Sequence, residues 1–397
     1  MRAASVLLGL AASAIAAPSP SVESRDNGGD QFTLGQPISK DGKGGRILGG
    51  TNKELDLQNP DNLGQQSTDA GIVPNLKWSF SDSKTRILKG GWVREQVVTD
   101  LPSSHDIAGA QQHLKKGAIR ELHWHKVAEW GIIYNGRITV SAVDENGVYQ
   151  ATEIGYGDVW YFPPGVAHTV QDRVCLPHLT AAPFPLTLPT PKDILAKNFG
   201  VPESTFKDIP AANPYIFNAP VATKNVTGAV TPQATGDASF VYRTLQHPPE
   251  KIGGTGGTFY KIDSTNFPIS KEIAATFVTL KPGGLRELHW HPNAEEWLYF
   301  HKGKARATAF IGNGAARTFD FSAGDTAVFP TNAGHYIENT SKDEDLVWIE
   351  IYKSDHVADV SLSQWLALTP PEIAAQTLKV PVEFIEQIKR EKQVLIE

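Results

Sequence analysis

The chain has one cysteine, Cys175, in 397 residues, so no disulfide can form within it. In an oxidising compartment its stability must come from a packed core, and a chain of this length can bury one. It has no long apolar run. The N-terminal stretch from Val6 to Ala12 falls far short of the ~20 residues that span a bilayer, and no other segment is long or apolar enough. Charge of one sign is also scarce. A formal net charge of −6 gives no basic excess and removes the usual reason to expect binding to nucleic acid or an anionic membrane. What remains is globular: 40% hydrophobic and 20% charged residues, with 35 glycines and 27 prolines to supply turns.

The short apolar stretch has a purpose of its own. Arg2 precedes it and Ala14-Ile15-Ala16 follows as a small-x-small site, so residues 1–16 read as a secretory signal. Residues 17–70 are polar, rich in Gly and Ser, and aperiodic, as an extended arm would be. Of two glycosylation patterns, Asn225-Val226-Thr227 is plausible. Asn339-Thr340-Ser341 lies inside a repeated motif, where use is not expected.

Beyond the arm the chain repeats itself. GAIRELHWHKVAEWGIIYNG at 117–136 answers GGLRELHWHPNAEEWLYFHKG at 283–303, and GDVWYFPPGVAHTVQD from Gly157 answers GDTAVFPTNAGHYIEN from Gly324. The offset is 166 residues at His123/His289 and 167 at His168/His335. A repeat of this length points to two similar domains, placed at 71–219 and 239–397 with a Gly/Pro/Ala/Thr linker at 220–238. Between the landmarks the pattern alternates, as in Arg137 to Val143 and Ala305 to Ile311. Each run meets an Asn-Gly, Asn146-Gly147 or Asn313-Gly314, which is a hairpin signal. The expected class is all-β, a closed barrel or jelly roll in each copy. Short helices start at Thr190-Pro191 and Thr369-Pro370, with threonine as cap and proline at the first helical position.

The chemistry concentrates in the repeat. His123 and His125 stand two apart, so on a strand both imidazoles face one way. Glu129 follows, and His168 arrives from a distant strand. Copy two offers His289, His291, Glu296 and His335, its glutamate displaced by one residue that a small bulge could absorb. Three imidazoles and a carboxylate suit Mn, Fe, Co, Ni, Cu or Zn rather than a dedicated Ca or Mg cage. Four ligands leave coordination positions open for a substrate or dioxygen. Arg120 and Arg286 each precede the first histidine by three. That odd offset should face away, but a strand's entry can be irregular, and an arginine beside the metal would clamp an anion.

These residues resemble the cupin signature. Gly117-His123-His125-Glu129-Gly136 and Gly283-His289-His291-Glu296-Gly303 match its first motif. Gly157-Pro163-Gly165-His168 matches its second, and Gly324-Pro330-Gly334-His335-Asn339 does so with altered spacing. More narrowly, the RELHWH of both copies, HPNAEEW, and the tail LVWIEIYKSDHVADVSLSQWLALTPPE are similar to the bicupin oxalate decarboxylases of fungi and bacteria, from about residue 45 onward. The resemblance implies two jelly-roll β-barrels with short flanking helices, Mn(II) in each (two per chain), and oxalate as substrate. It also implies dioxygen as co-catalyst, formate and CO2 as products, and a trimer or hexamer. By motif match Arg120 and Arg286 hold oxalate and Trp160 lines the first pocket. Glu350 is the acid of the second site, its proton retained by apolar Trp348, Ile349 and Ile351.

Copy one departs from that family after His168. His168 to Thr190 spans 22 positions, against 34 from His335 to Thr369, and the intervening DRVCLPHLTAAPFPLTLPTP shows no strand alternation. The family's lid, a Ser-Glu-Asn-Ser type loop, is missing. An exposed barrel edge is expected there. So is a leaning toward oxalate oxidase chemistry, giving CO2 and peroxide. A storage-like bicupin and a dioxygenase with another small dianion are the remaining alternatives.

Overall fold

A computed structural model describes residues 55, 58–62, 69–173, 176–179, 190–209, 214–224 and 226–397. The signal at 1–16, most of the arm, Cys175, Asn225 and the proline-rich stretch at 180–189 lie outside the described residues. The first half carries β1 (Lys77–Ser79), β2 (Arg86–Leu88), β3 (Gly91–Gln96), β4 (Gly109–Leu114), β5 (Ile119–His123), β6 (Glu129–Ile132) and β7 (Arg137–Val143). It continues with β8 (Tyr149–Gly155), β9 (Val159–Phe162), β10 (Ala167–Asp172), β11 (Leu176–Leu179), helix α1 (Lys192–Phe199), β12 (Ile216–Phe217) and β13 (Val241–Tyr242). The second half carries β14 (Gly257–Ile262), β15 (Ala274–Leu280), β16 (Leu285–Trp290), β17 (Glu296–Lys302), β18 (Lys304–Ile311), β19 (Ala315–Ser322) and β20 (Asp325–Phe329). After it come β21 (Gly334–Asn339), β22 (Leu346–Tyr352), β23 (Val360–Ser361), α2 (Leu362–Ala367), α3 (Pro371–Leu378), α4 (Val382–Gln387) and β24 (Leu395–Ile396).

Every paired strand is antiparallel to its named neighbours, and the two halves repeat the same pairings. β10 lies between β5 and β7 as β21 lies between β16 and β18, and β6 pairs β9 as β17 pairs β20. The alternation read at Arg137–Val143 is real: Ile138, Val140 and Ala142 face the barrel interior, and the residues between them face outward. Both Asn-Gly pairs close hairpins, but by different turns. Asn313 and Gly314 both take positive φ, at 64° and 72°, the type I′ requirement. In copy one only Gly147 does, while the Asp144 carboxylate accepts from the Asn146 and Val148 N–H groups. Helices α1 and α3 begin one residue later than the Thr-Pro spacing predicts, with Pro191 and Pro370 themselves at the cap.

Three large apolar clusters form among the described residues. One fills each barrel, and the third, which includes Phe80, Trp130, Tyr134, Trp297, Tyr299 and Ile351, joins them. Strand exchange strengthens the join. β1, from the first half, pairs β20 of the second barrel, and β13, from the start of the second half, pairs β9 of the first. The repeat boundaries at 71 and 239 therefore do not coincide with the sheet boundaries. Within the 220–238 segment, Ala234 is buried in the first barrel's core and Gln233 bridges to Tyr149. Described parts of the arm also dock on the second barrel, through Ala70 to Ala316 and Asp61 to Arg317.

Copy one does contain a strand after His168, within the stretch at 172–191 that shows no strand alternation in sequence. β11 pairs β4 with Leu176 opposite Leu114 and Leu179 opposite Gln111, despite Pro177. A proline fits there because β11 lies at a sheet edge. Among the described residues β11 is paired on one side only. In copy two the seven-residue β22 runs between β15 and β17 and closes one six-stranded sheet. In copy one β11 is hydrogen-bonded to β4 alone, so among the described residues the sheet is split between β11 and β6. A cleft opens at that split, lined by Gly109, Ala110, Glu129 and Trp130 and faced by Ile351 and Lys353 of the other barrel.

Asn339 is buried, its amide donating to the carbonyls of Leu280, Lys281 and Glu344. A glycan cannot be placed on it.

The inter-barrel contact depends on a glycine. A Cβ on Gly109 would fall 2.4 Å from the Trp297 ring, which the joining cluster holds in place. Gly109→Ala is expected to cost about 1–3 kcal/mol by overpacking, seen as a lower midpoint in chemical denaturation. An unchanged midpoint would mean the ring is free to move.

Candidate metal centres

β5 and β16 carry His123 and His289, with His125 and His291 just past their ends, and β10 and β21 bring the third histidine to the same level. His123 stands opposite His168, and His289 opposite His335. The ligating atoms of His123, His125, Glu129 and His168 lie within 4.8 Å of one another, as do those of His289, His291, Glu296 and His335. In the first group His125 Nε2 is 2.7 Å and His168 Nε2 3.3 Å from Glu129 Oε2. In the second, His335 Nε2 is 2.6 Å and His291 Nε2 3.3 Å from Glu296 Oε2.

Short as they are, most of these contacts lack the angles of hydrogen bonds. Nε2 of His125, His168, His289 and His335 and Oε2 of Glu129 and Glu296 are buried without a hydrogen-bond partner. Lone pairs converging in a dry space are what a cation requires, so the residues present fit one. The outer nitrogens are fixed by carbonyls, which leaves Nε2 to point inward. His123 Nδ1 lies 2.6 Å from Glu121 O, His168 Nδ1 2.9 Å from Val166 O, His289 Nδ1 2.6 Å from Glu287 O and His291 Nδ1 2.8 Å from Ala358 O. Burial, then Arg120 and His168, push His123 down to about 3. Burial and Arg286 likewise hold His289 well below the usual range. Both imidazoles are therefore neutral, as ligands must be.

The glutamate displacement is absorbed elsewhere than in a bulge. Glu129 pairs with Phe162 and Glu296 with Phe329 in equal register, so the extra residue of copy two lies in the turn after His291. The bulge occurs at the arginines instead. From Arg120 to His123 is three residues, but their partners Val170 and His168 are two apart, and Arg286 and His289 against Ile337 and His335 repeat this. One extra residue turns an odd offset into the same face. Both arginines are buried.

Each guanidinium is oriented on one side and bare on the other. Arg120 donates to Glu121 at 3.0 Å and stacks 3.8 Å from the Tyr215 ring, leaving Nε and Nη2 without partners. Arg286 donates to Asp359 at 3.0 Å and lies 3.6 Å from Glu350, leaving Nε and Nη1 without a hydrogen bond.

Two expectations need correcting. Glu350 does not sit among apolar side chains. Alternation sends Ile349 and Ile351 to the inter-barrel cluster, while Glu350 accepts from Thr276 at 2.5 Å, Tyr352 at 2.9 Å and the Trp348 indole at 3.0 Å. Trp160 gives its one donor to Glu129 Oε1 at 3.1 Å and is fully buried, so it holds a ligand rather than facing a pocket. Sequence reading missed Tyr352, Asp359 and Tyr215, which no repeat marks. It also missed Glu121 and Glu287, which the doubled RELHWH could have flagged. Glu121 receives the Tyr215 N–H, and Glu287 the Val394 N–H and Ser361 hydroxyl.

Burial alone would raise the Asp359 carboxyl, but Arg286 and Lys392 beside it hold it well below the usual range. A depressed carboxylate stabilises the fold fully above its unfolded value and loses that contribution as pH falls through the folded one. Asp359→Asn is therefore expected to cost about 3 kcal/mol at neutral pH. The gap to the parent in urea denaturation should narrow below about pH 4. A gap independent of pH would exclude the ion pair as its cause.

Comparison with known proteins agrees with this geometry. A model of the cupin family matches residues 79–173 and 243–386. A probable oxalate decarboxylase of Arthroderma benhamiae is 56% identical over 380 residues, 91% of this chain and 93% of that one. The oxalate decarboxylase OxdC of Bacillus subtilis is 42% identical over 92% of this chain and 98% of its own. The structure of the Bacillus subtilis oxalate decarboxylase at pH 4.6 superposes with a TM-score of 0.85 at 42% identity, covering 92% and 98% of the two chains. A second structure of that enzyme, from work on the electron paramagnetic resonance of its Mn(II) centres, gives 0.85 at 41% identity, covering 92% and 99%.

Proposed function

The chain belongs to the cupin family as a tandem of two barrels, and we infer from that premise that it is a manganese-dependent oxalate decarboxylase, with one Mn(II) in each barrel. It converts oxalate to formate and CO2, a reaction that consumes one proton per turnover. The observation that carries this reading is the pairing, twice over, of a converging ligand set with a buried arginine that keeps N–H groups without a hydrogen bond.

Bound manganese supplies open coordination positions and a one-electron couple, for which dioxygen is the co-catalyst. The chain's residues do the rest. Arg286 offers Nη1, which makes no hydrogen bond within the protein, to one carboxylate of oxalate, and its charge offsets the dianion's. Asp359 and the Phe259 ring, 5.4 Å away, keep the guanidinium in plane. Burial excludes water, so these charges act at low dielectric. The C–C bond breaks to release CO2, and the remaining carbon takes the proton. Glu350 is placed to deliver it, close to Arg286 and aimed at the interior. Thr276, Tyr352 and the Trp348 indole fix the position of its carboxyl group.

We place the reaction in the second barrel. There β22 supplies Glu350, and the segment leading to β23 supplies Ala358 and Asp359 to the ligands and the arginine. In the first barrel the region that would correspond lies beyond β11, outside the described residues. Trp160 and Arg120 then serve the first centre as ligand support and anion holder.

With Mn(II) added, the purified chain is expected to release formate from oxalate. Arg286→Lys should lower the rate by about 10²-fold or more with manganese content retained, and Arg120→Lys should do so less. CO2 and peroxide without formate would establish an oxidase instead. A chain taking up no metal would favour a storage or binding protein. If Arg120→Lys is the more damaging, the reaction belongs to the first barrel.

We further propose that the protein is exported and self-associates. Residues 1–16 support export, and exposed Trp365, Leu368 and Phe384 on and near the C-terminal helices support association. Protein recovered from the culture medium should begin just after Ala16 by mass and sediment as a trimer or larger. An intact N-terminus or a monomer would overturn the corresponding half.

A further inference from the structure

The two centres have the same ligands but not the same surroundings. In the first, Glu129 Oε1 accepts from the Trp160 indole at 3.1 Å. Indole is a donor only, so the connection ends there. Room for the ring comes from Gly131, directly across the β6–β9 pair, where a Cβ would lie 2.0 Å from it. In the second barrel the same cross-strand pair is Leu298 and Ala327. Large and small have changed places, and no indole can reach Glu296 from β20.

Tyr352 takes over from another strand. It stands opposite Glu296 on β22 and is fully buried. Its hydroxyl oxygen lies 2.9 Å from Glu350 Oε2, 3.3 Å from Glu296 Oε1 and 3.4 Å from His291 Nε2, and its ring packs 4.7 Å from the His291 ring. A phenol has one proton. The shorter distance gives that proton mainly to Glu350, so Glu296 receives less of a hydrogen bond than Glu129 does and keeps more of its negative charge. Glu350, whose own hydrogen bonds go to Thr276, Trp348 and Tyr352, is joined through this one hydroxyl to two metal ligands.

We propose that Tyr352 is a positioning residue of the second centre: it ties Glu350 to the ligands Glu296 and His291, and so makes that centre electronically different from the first, where Trp160 holds Glu129. The inference rests on the manganese reading above but not on which centre turns over oxalate.

The test uses the manganese-loaded full chain and the electron paramagnetic resonance of its two Mn(II) ions, with His335→Ala used to assign the second-centre signal. Tyr352→Phe, which keeps the ring and removes the hydroxyl, should shift the zero-field splitting of that signal alone. Trp160→Phe should shift only the other. Glu350→Gln, which alters Tyr352's partner but no metal ligand, should move the same signal as Tyr352→Phe and covers the case in which the tyrosine variant does not fold. If the second centre turns over oxalate, kcat should fall about 10- to 100-fold in Tyr352→Phe with KM little changed. A second-centre signal unmoved in Tyr352→Phe, or in Glu350→Gln if the former does not fold, overturns the inference. So does one signal that responds to both Tyr352→Phe and Trp160→Phe. Failure of the parent chain to cleave oxalate while both signals behave as described would count against the proposed function alone.

Discussion

His123 faces His168, and His289 faces His335, across neighbouring antiparallel strands, and the site chemistry depends on that register. A slip of one residue on either strand would turn every side chain to the opposite face, sending the imidazoles out and the arginines elsewhere. The register is fixed by what flanks it. Ile138, Val140 and Ala142 must face the interior of one barrel, Ala305, Ala307 and Ala309 that of the other. The bulge between arginine and histidine is tolerated because it brings a cation to the ligands' side, where an anion can satisfy it. Glu121 and Glu287 secure the same strands by binding the backbone of β12's and β24's neighbours, Tyr215 and Val394.

Around this frame the two barrels have diverged by compensation rather than by loss. Gly131 with Trp160 and Leu298 with Ala327 each put one bulky and one small side chain at the same place in the same strand pair. Interiors tolerate such exchanges when total volume is kept. The hydrogen bonds cannot be kept in the same way, since indole and phenol differ in what they can accept. Similar packing therefore yields two metal centres with different outer contacts, one ending at Trp160 and the other running through Tyr352 to Glu350 and Thr276.

The barrels also depend on each other. Each lends the other a strand, β1 one way and β13 the other, and the cluster between them buries Trp130 and Trp297. β22 is buried along its whole length because one face lines a barrel and the other meets this cluster. Among the described residues the first barrel's shorter β11 does not pair with β6, the strand that carries Glu129. Trp297's indole finds Gln96 across the join at 2.7 Å, whereas Trp130's, at the edge of the cleft, has no partner among the described residues.

Ligand identity was legible in the sequence because it follows from local rules. Two histidines at i and i+2 must share a face, and a doubled motif at a fixed offset must mean two copies of one fold. The hairpins followed from alternation and Asn-Gly for the same reason. Other features depend on residues distant in the chain, which no spacing rule connects. That the arginines turn inward was settled by a bulge, visible only as unequal counts on two paired strands. The surroundings of Glu350 were misread because its sequence neighbours are apolar while its spatial neighbours, Thr276 and Tyr352 among them, come from an adjacent strand and from two residues along its own. The sequence by itself determined the all-β repeat, the two ligand sets and the charge that suits a small dianion. Tertiary structure alone decided which donor holds each glutamate and which strand closes each barrel, because those depend on side-chain volumes meeting across sheets.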